Sequence, residues 1–142
     1  MPRGSIQLWR GQVQWTAQFL AASELVRLGY VVSFTMGNHT PIADLVVGSQ
    51  QKSNLFWVNV KGKSSKVHGW YVHEKTIKNL YYILVSVGEK READEFFVLD
   101  YKIANQLIAD DRRQHNRKAG FEQIAKKAAV AYKDAWKRLP RI

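Results

Sequence analysis

The chain has 142 residues, 46% of them hydrophobic, with five Trp, six Tyr and six Phe, which suits one domain over residues 1–142 with a substantial core. It has no cysteine, excluding disulfides and thiolate metal sites, and no run near the roughly 18–20 apolar residues of a membrane span, so no membrane partner is expected. The net charge of +10 is lopsided: residues 112–142 carry ten Lys or Arg against Glu122 and Asp134, a net +8, leaving +2 for everything before.

The first residues, Met1-Pro2-Arg3-Gly4-Ser5, lack the apolar stretch of a secretory signal, and a cytoplasmic location is the expectation. Leu8 to Leu28 reads as a helix ended by Gly29. Spacing residues 100° apart puts Trp15, Ala17, Phe19, Ala21, Ala22, Leu25, Val26 and Leu28 on one broad apolar face. Gln14 and Gln18 fall inside that face, where amides require partners, either backbone groups or a functional site. Glu24 lies about 120° around from Gln18 and reads as a surface residue.

Strand-like runs follow: Tyr30 to Thr35, then, after the loop Gly37 to Pro41, Ile42 to Val47. A polar turn from Gly48 to Asn54 leads to the alternating run Leu55 to Lys61. Trp70 to Val72 makes a further short strand, Leu80 to Val87 the most apolar and central one, and Glu95 to Leu99 closes the set. Asp100 suits an N-cap for a short helix, and Phe121 to Leu139 reads as a longer helix. Helix, strands, then helices predict an α/β sandwich around a mixed sheet, with a basic helical segment over about 101–142.

Asp44 is the residue that asks for an explanation. A carboxylate inside an apolar strand is expensive unless it is paired or binds metal. Strand alternation puts Asn59 and Lys61 on one face and Val58 and Val60 on the other. An Asp, an amide oxygen and an ammonium side by side suit a divalent cation and a phosphate oxygen, since hard cations such as Mg²⁺ take oxygen ligands. Ordinary polar residues at a strand edge, with a snorkelling lysine, are the plainer alternative. Among the basic residues, Lys63 and Lys66 in the turn after Lys61, and Arg112, Arg113, Arg117 and Lys118, are candidate nucleic-acid contacts, because clustered positive charge attracts polyanions by counterion release. A solvated basic helix accounts for the same charges. His39, His68, His73 and His115 show no metal-ligand spacing, and Trp70 and Tyr71 are either base-stacking or buried aromatics.

A longer ordered set runs Glu24 to Val32, Thr35 with Gly37 and Asn38, Pro41 to Val47, Trp57 to Gly62, Trp70, and the strands Leu80 to Val87 and Phe96 to Leu99. In that order it resembles the PD-(D/E)XK nuclease superfamily, most of all small bacterial members of unknown role and, more distantly, archaeal Holliday-junction resolvases. The resemblance implies a single-domain, restriction-endonuclease-like fold and metal-dependent DNA endonuclease activity. Asp44 would be the metal-binding aspartate and Lys61 the lysine that orients water or stabilises charge. Asn59 would occupy the usually acidic half-motif position and Gln18 the position of a helix glutamate, so both carry amides. An amide oxygen can coordinate Mg²⁺, yet it brings no charge and cannot act as a general base. Asp44, Asn59 and the Val60 carbonyl would hold Mg²⁺ or Mn²⁺, the partner would be DNA, and duplex cutting implies a homodimer. No motif for a small-molecule cofactor is evident. The alternative is a catalytically degenerate nucleic-acid-binding or assembly module on the same fold.

Overall fold

In the computed structural model, residues 9–35, 42–51, 54–89, 92–118 and 122–142 are described. Leu8, the loop Gly37 to Pro41 with Asn38 and His39, and Phe121 lie outside them. The first helix, α1, spans Arg10–Arg27. Gln12 Oε1 accepts the Trp9 N–H at 3.2 Å at its start, and Gly29, at φ 102°, takes the left-handed conformation that lets the chain turn away at its end. Val13, Ala17, Ala21, Ala22 and Leu25 are its buried face. Phe19, Val26 and Leu28, expected on that face, are exposed; the small alanines make the contact instead. They allow a close approach: a Cβ on Gly62 would lie 2.6 Å from the Ala17 Cβ and 3.0 Å from the Val13 carbonyl oxygen.

Seven strands follow among the described residues. The strands β1 (Tyr30–Phe34), β2 (Leu45–Ser49), β3 (Leu55–Ser64), β5 (Leu80–Val87) and β6 (Glu95–Asp100) form one sheet in the order β1-β2-β3-β5-β6. Only the β3–β5 pair is parallel, so the sheet is mixed. β5 is interior and nearly wholly buried, as its unbroken apolar run predicts. In sequence β4 (Gly69–Tyr71) comes between β3 and β5, and it pairs antiparallel with β7 (Gln123–Ala125) in a separate two-stranded sheet. The second helix, α2 (Tyr101–His115), starts where Asp100 Oδ1 accepts the Ile103 N–H at 2.9 Å, the N-cap expected of that residue.

Two apolar layers flank the sheet. α1 packs on one face with Val58, Val60, Ile83, Val85 and Val98. On the other face α2, β4 and β7 enclose Trp70, Tyr82, Leu84, Phe97, Ile108 and Ile124.

The expected helix from Phe121 to Leu139 does not form. Ile124 is buried between half-buried Gln123 and Ala125, a period of two that sends this stretch into β7. One helical turn, α3 (Lys126–Ala129), and two 3₁₀ turns, Val130–Tyr132 and Trp136–Arg138, complete the chain. Ala129 packs with the α2 layer, whereas Leu139 and Trp136 pack with the α1 layer. The chain therefore rounds the β6 edge, where Lys133 bridges Phe97 and the Asp134 N–H donates to the Phe96 carbonyl at 2.9 Å. A straight helix cannot cap both faces of a sheet. The end is pinned by the Tyr30 hydroxyl, which donates to the Pro140 carbonyl at 2.6 Å.

Candidate active site

β2 pairs with β3 only as far as Val58, while β3 continues to Ser64. Beyond Val58 the backbone groups on that edge of β3 have lost their strand neighbour and need other partners. Side chains take its place. Asp44 Oδ2 accepts the Val60 N–H at 2.7 Å. Gln14 Nε2 donates to the Val60 carbonyl at 2.7 Å, and Gln14 Oε1 accepts the Gly62 N–H at 2.9 Å. One glutamine amide thus mimics a residue of the missing strand, and Lys61 lies between the two positions it clamps.

Asp44 precedes β2 rather than lying within it, a shift of the strand start from Ile42 to Leu45. Its own N–H still donates to the Val58 carbonyl at 3.0 Å, so Asp44 and Asn59 occupy the next step of the β2–β3 register. Gln18, only 5% exposed, donates from Nε2 to Asp44 Oδ1 at 3.4 Å. Gly11, Gln14, Trp15, Gln18, Asp44 and Lys61 line a cleft of about 200 Å³. Asn59 is not among these lining residues. It is buried, and its Oδ1 accepts no hydrogen bond from the described residues.

The electrostatics follow from this burial. Removal from water pushes the Asp44 pKa above the usual carboxylate value, against the Val60 N–H and the charges of Lys61 and Lys75, which favour the ionised form. Burial pushes Lys61 below the usual lysine value; Asp44 opposes that, and Lys75 adds to it.

Lys75 belongs to the same electrostatic group, and nothing local in the sequence marks it. It sits in the irregular stretch 72–77, where no periodicity gives a side chain direction. Asn105 on α2 holds its backbone at both ends, accepting the Lys75 N–H at 3.3 Å and donating to its carbonyl at 3.0 Å. Its ammonium donates to the Ile42 carbonyl at 3.4 Å, two residues from Asp44. Gln14 was visible as an amide within an apolar face; its partners on β3, 46 and 48 residues away, were not.

As for a divalent cation, no three His, Asp or Glu side chains come together among the described residues. Oxygen donors are nonetheless present: the Asp44 carboxylate, the unsatisfied Asn59 Oδ1, and the Val60 carbonyl on the same open edge, which keeps a lone pair beyond the one used by Gln14. This set fits a hard cation such as Mg²⁺ or Mn²⁺ that retains several waters, with one ligand charge rather than two.

The remaining basic residues are placed differently from expectation. Lys63 is not in a solvated turn, because β3 extends over it; it is 5% exposed. Its ammonium lies 5.0 Å from the Trp70 ring centroid and donates to Ser86 Oγ at 3.2 Å. That position cannot reach a phosphate on the surface. Lys66 is exposed and pairs with Glu89 at 3.0 Å. Arg112 pairs with Glu122 at 2.9 Å and Glu74 at 3.5 Å, Arg113 with Asp110, and Arg117 with Asp111 at 2.6 Å. Lys118 is exposed. The histidines at 68, 73 and 115 are exposed, as is Tyr71, whereas Trp70 is core, its Nε1 donating to the Val85 carbonyl at 2.9 Å.

No protein-family model and no curated protein sequence matches the chain. Its structure is similar to that of the bacterial homing endonuclease I-Ssp6803I, with a TM-score of 0.60 and 16% identity over 92% of this chain and 91% of that one. It is also similar to Hjc, a Holliday junction resolvase from the archaeal hyperthermophile Archaeoglobus fulgidus, with a TM-score of 0.50 and 14% identity over 82% of this chain and 92% of that one. The α/β fold, with its five-stranded mixed sheet, N-terminal helix and C-terminal helices, is therefore one that nucleases use.

Proposed function

We propose that the chain is a divalent-metal-dependent endonuclease that hydrolyses phosphodiester bonds in DNA, with the PD-(D/E)XK arrangement carried by Asp44, Asn59 and Lys61. The observation that carries this is the convergence of Asp44 and Lys61 on one cleft at the open edge of β3. A net charge of +10 suits a polyanionic substrate, and the two similar folds belong to an endonuclease and a resolvase.

Asp44, Asn59 and the Val60 carbonyl would hold the metal. When bound, Mg²⁺ or Mn²⁺ supplies a water of lowered pKa and offsets charge on the phosphate. Lys61, an ammonium with three donors and no acceptor, holds the attacking water and stabilises negative charge developing on the phosphate oxygens. Gln18 keeps the Asp44 carboxylate in place and presents an amide to water in the cleft. Lys75 adds positive charge near Asp44 and Lys61. Gln14 does no chemistry; it fixes the strand that carries Lys61.

Binding along the DNA falls to Lys66, Arg112, Arg113, Arg117 and Lys118, with the acids paired to four of them reducing their field. Cutting both strands of a duplex takes two such sites, hence a homodimer.

The test is incubation of the purified protein with plasmid, single-stranded and branched DNA in Mg²⁺ and then Mn²⁺. Metal-dependent cutting is expected, and Asp44→Ala, still folded, abolishes it. Absence of cutting with either metal, together with unchanged Mn²⁺ binding in Asp44→Ala, contradicts the assignment and leaves a nucleic-acid-binding or assembly module.

A further inference from the structure

Aromatic rings run outward from the cleft along α1. Trp15 lines the cleft itself and stacks on Phe19, with ring centroids 5.9 Å apart and an interplanar angle of 28°. Phe19 in turn meets Phe34 of β1 at 5.6 Å. The Trp9 ring lies against Gly11, another lining residue: a Cβ there would touch it at 3.8 Å. Trp15 and Phe34 are half-buried, Phe34 against the α1-side core, but the other two rings are not. Trp9 is 72% exposed and Phe19 58% exposed. Large rings left in water beside a cleft mark a surface that a ligand or partner covers, because burying apolar surface is favourable.

The chemistry around them narrows the occupant. The shelf is continuous with a cleft lined by the cation Lys61, on which Lys75 acts electrostatically from nearby, and the exposed Arg10 opens α1 between Trp9 and Gly11. A ligand filling both must carry negative charge at one end and a flat apolar face at the other. A nucleotide does so: its phosphate meets the cations and its base stacks on a ring. A paired base in an intact duplex has both faces covered by its neighbours and offers no free one.

We infer that the shelf of Trp15, Phe19 and Trp9 binds an unpaired nucleobase next to the phosphate in the cleft, so that the substrate class is DNA with a single-stranded or unpaired segment. This deepens the endonuclease assignment and rests on it for the position of the phosphate. The stacking itself needs no chemistry, and it is measurable with the reaction switched off.

The experiment is fluorescence-anisotropy binding in EDTA of three labelled DNAs: a single strand, the blunt duplex of the same sequence, and that duplex with an internal unpaired bulge. The single strand and the bulged duplex bind more tightly than the blunt duplex. Phe19→Ala and Trp15→Ala each weaken binding to the unpaired substrates roughly 5- to 100-fold, the range expected for loss of one base–aromatic stack, and hardly change the blunt duplex. Phe19→Tyr, which keeps the ring, restores the preference. Phe19 is exposed, so its substitution leaves the fold intact even where Trp15→Ala does not. Equal affinity for all three DNAs, or equal losses on all three in Phe19→Ala, overturns the proposal. So does a dimer that Phe19→Ala splits in light scattering with DNA binding unchanged, since the shelf then seats a second copy of the chain. Failure of the nuclease assignment looks different: the preference and its loss persist while no metal supports cutting.

Discussion

Lys61 and Lys63 stand two residues apart on one strand, on the same side by alternation, yet they end in opposite settings. Around Lys61, β2 has stopped and α1 leaves a gap, so the side chain faces a cleft shared with Asp44. Around Lys63, the β4–β7 sheet closes over β3 and puts the Trp70 ring against the ammonium. Among the described residues Lys63 forms no ion pair; Lys126 repels it more than Glu95 attracts it. Its pKa falls to about 8, mostly through loss of hydration. Period two gives the side of a strand a residue takes. What covers that side is decided by elements far away in sequence.

Three substitutions break or sharpen the contrast. Gln14→Ala leaves the Val60 carbonyl and the Gly62 N–H of the open edge without their partner. A loss of about 2 kcal/mol in urea unfolding is expected. Gln14→Ala with wild-type stability would show that water replaces the amide without cost. Next, Asn59→Glu restores a charged donor beside Asp44 and lowers the Mg²⁺ concentration for half-maximal cutting on the order of tenfold. A metal requirement that does not move would place Asn59 outside the ligand set.

The third is a pH dependence. The folded Lys63 pKa of about 8 lies below its unfolded value near 10.5, so between those limits the unfolded chain binds more protons. Wild-type stability therefore gains a contribution that grows as pH rises through about 8 to 10.5. Lys63→Met is more stable than wild type near neutrality, and the gap narrows across that window in urea titrations. A constant gap from pH 7 to 10.5 would mean that Lys63 titrates as an exposed lysine does.

Local patterns made much of the fold legible. β5 matches its apolar run from Leu80 to Val87, and α2 starts at the Asp100 cap. Failures occurred where tertiary contacts outweigh local preference. Residues 122–139 have helix-forming composition, but they round the β6 edge because Ile124 and Leu139 belong to opposite layers. Lys63 looked like a turn residue because nothing local announces that β3 runs on beneath β4. Phe19 and Val26 fit the apolar wheel of α1, yet the helix meets the sheet through alanines. At the site, the types of Asp44 and Lys61 and their places beside strands were readable. The clamp of Gln14 and the approach of Lys75 depend on how α1, α2 and the open edge of β3 assemble.

The most direct measurement compares single-turnover DNA cleavage by Lys61→Met and Lys63→Met in Mn²⁺. Methionine keeps most of the side-chain volume and removes the charge in both. Lys61→Met should lose at least on the order of 10²-fold in rate, the usual cost of removing one donor to developing negative charge, while Lys63→Met cuts at the wild-type rate. Wild-type cutting by Lys61→Met would contradict the assignment of the cleft as the active site.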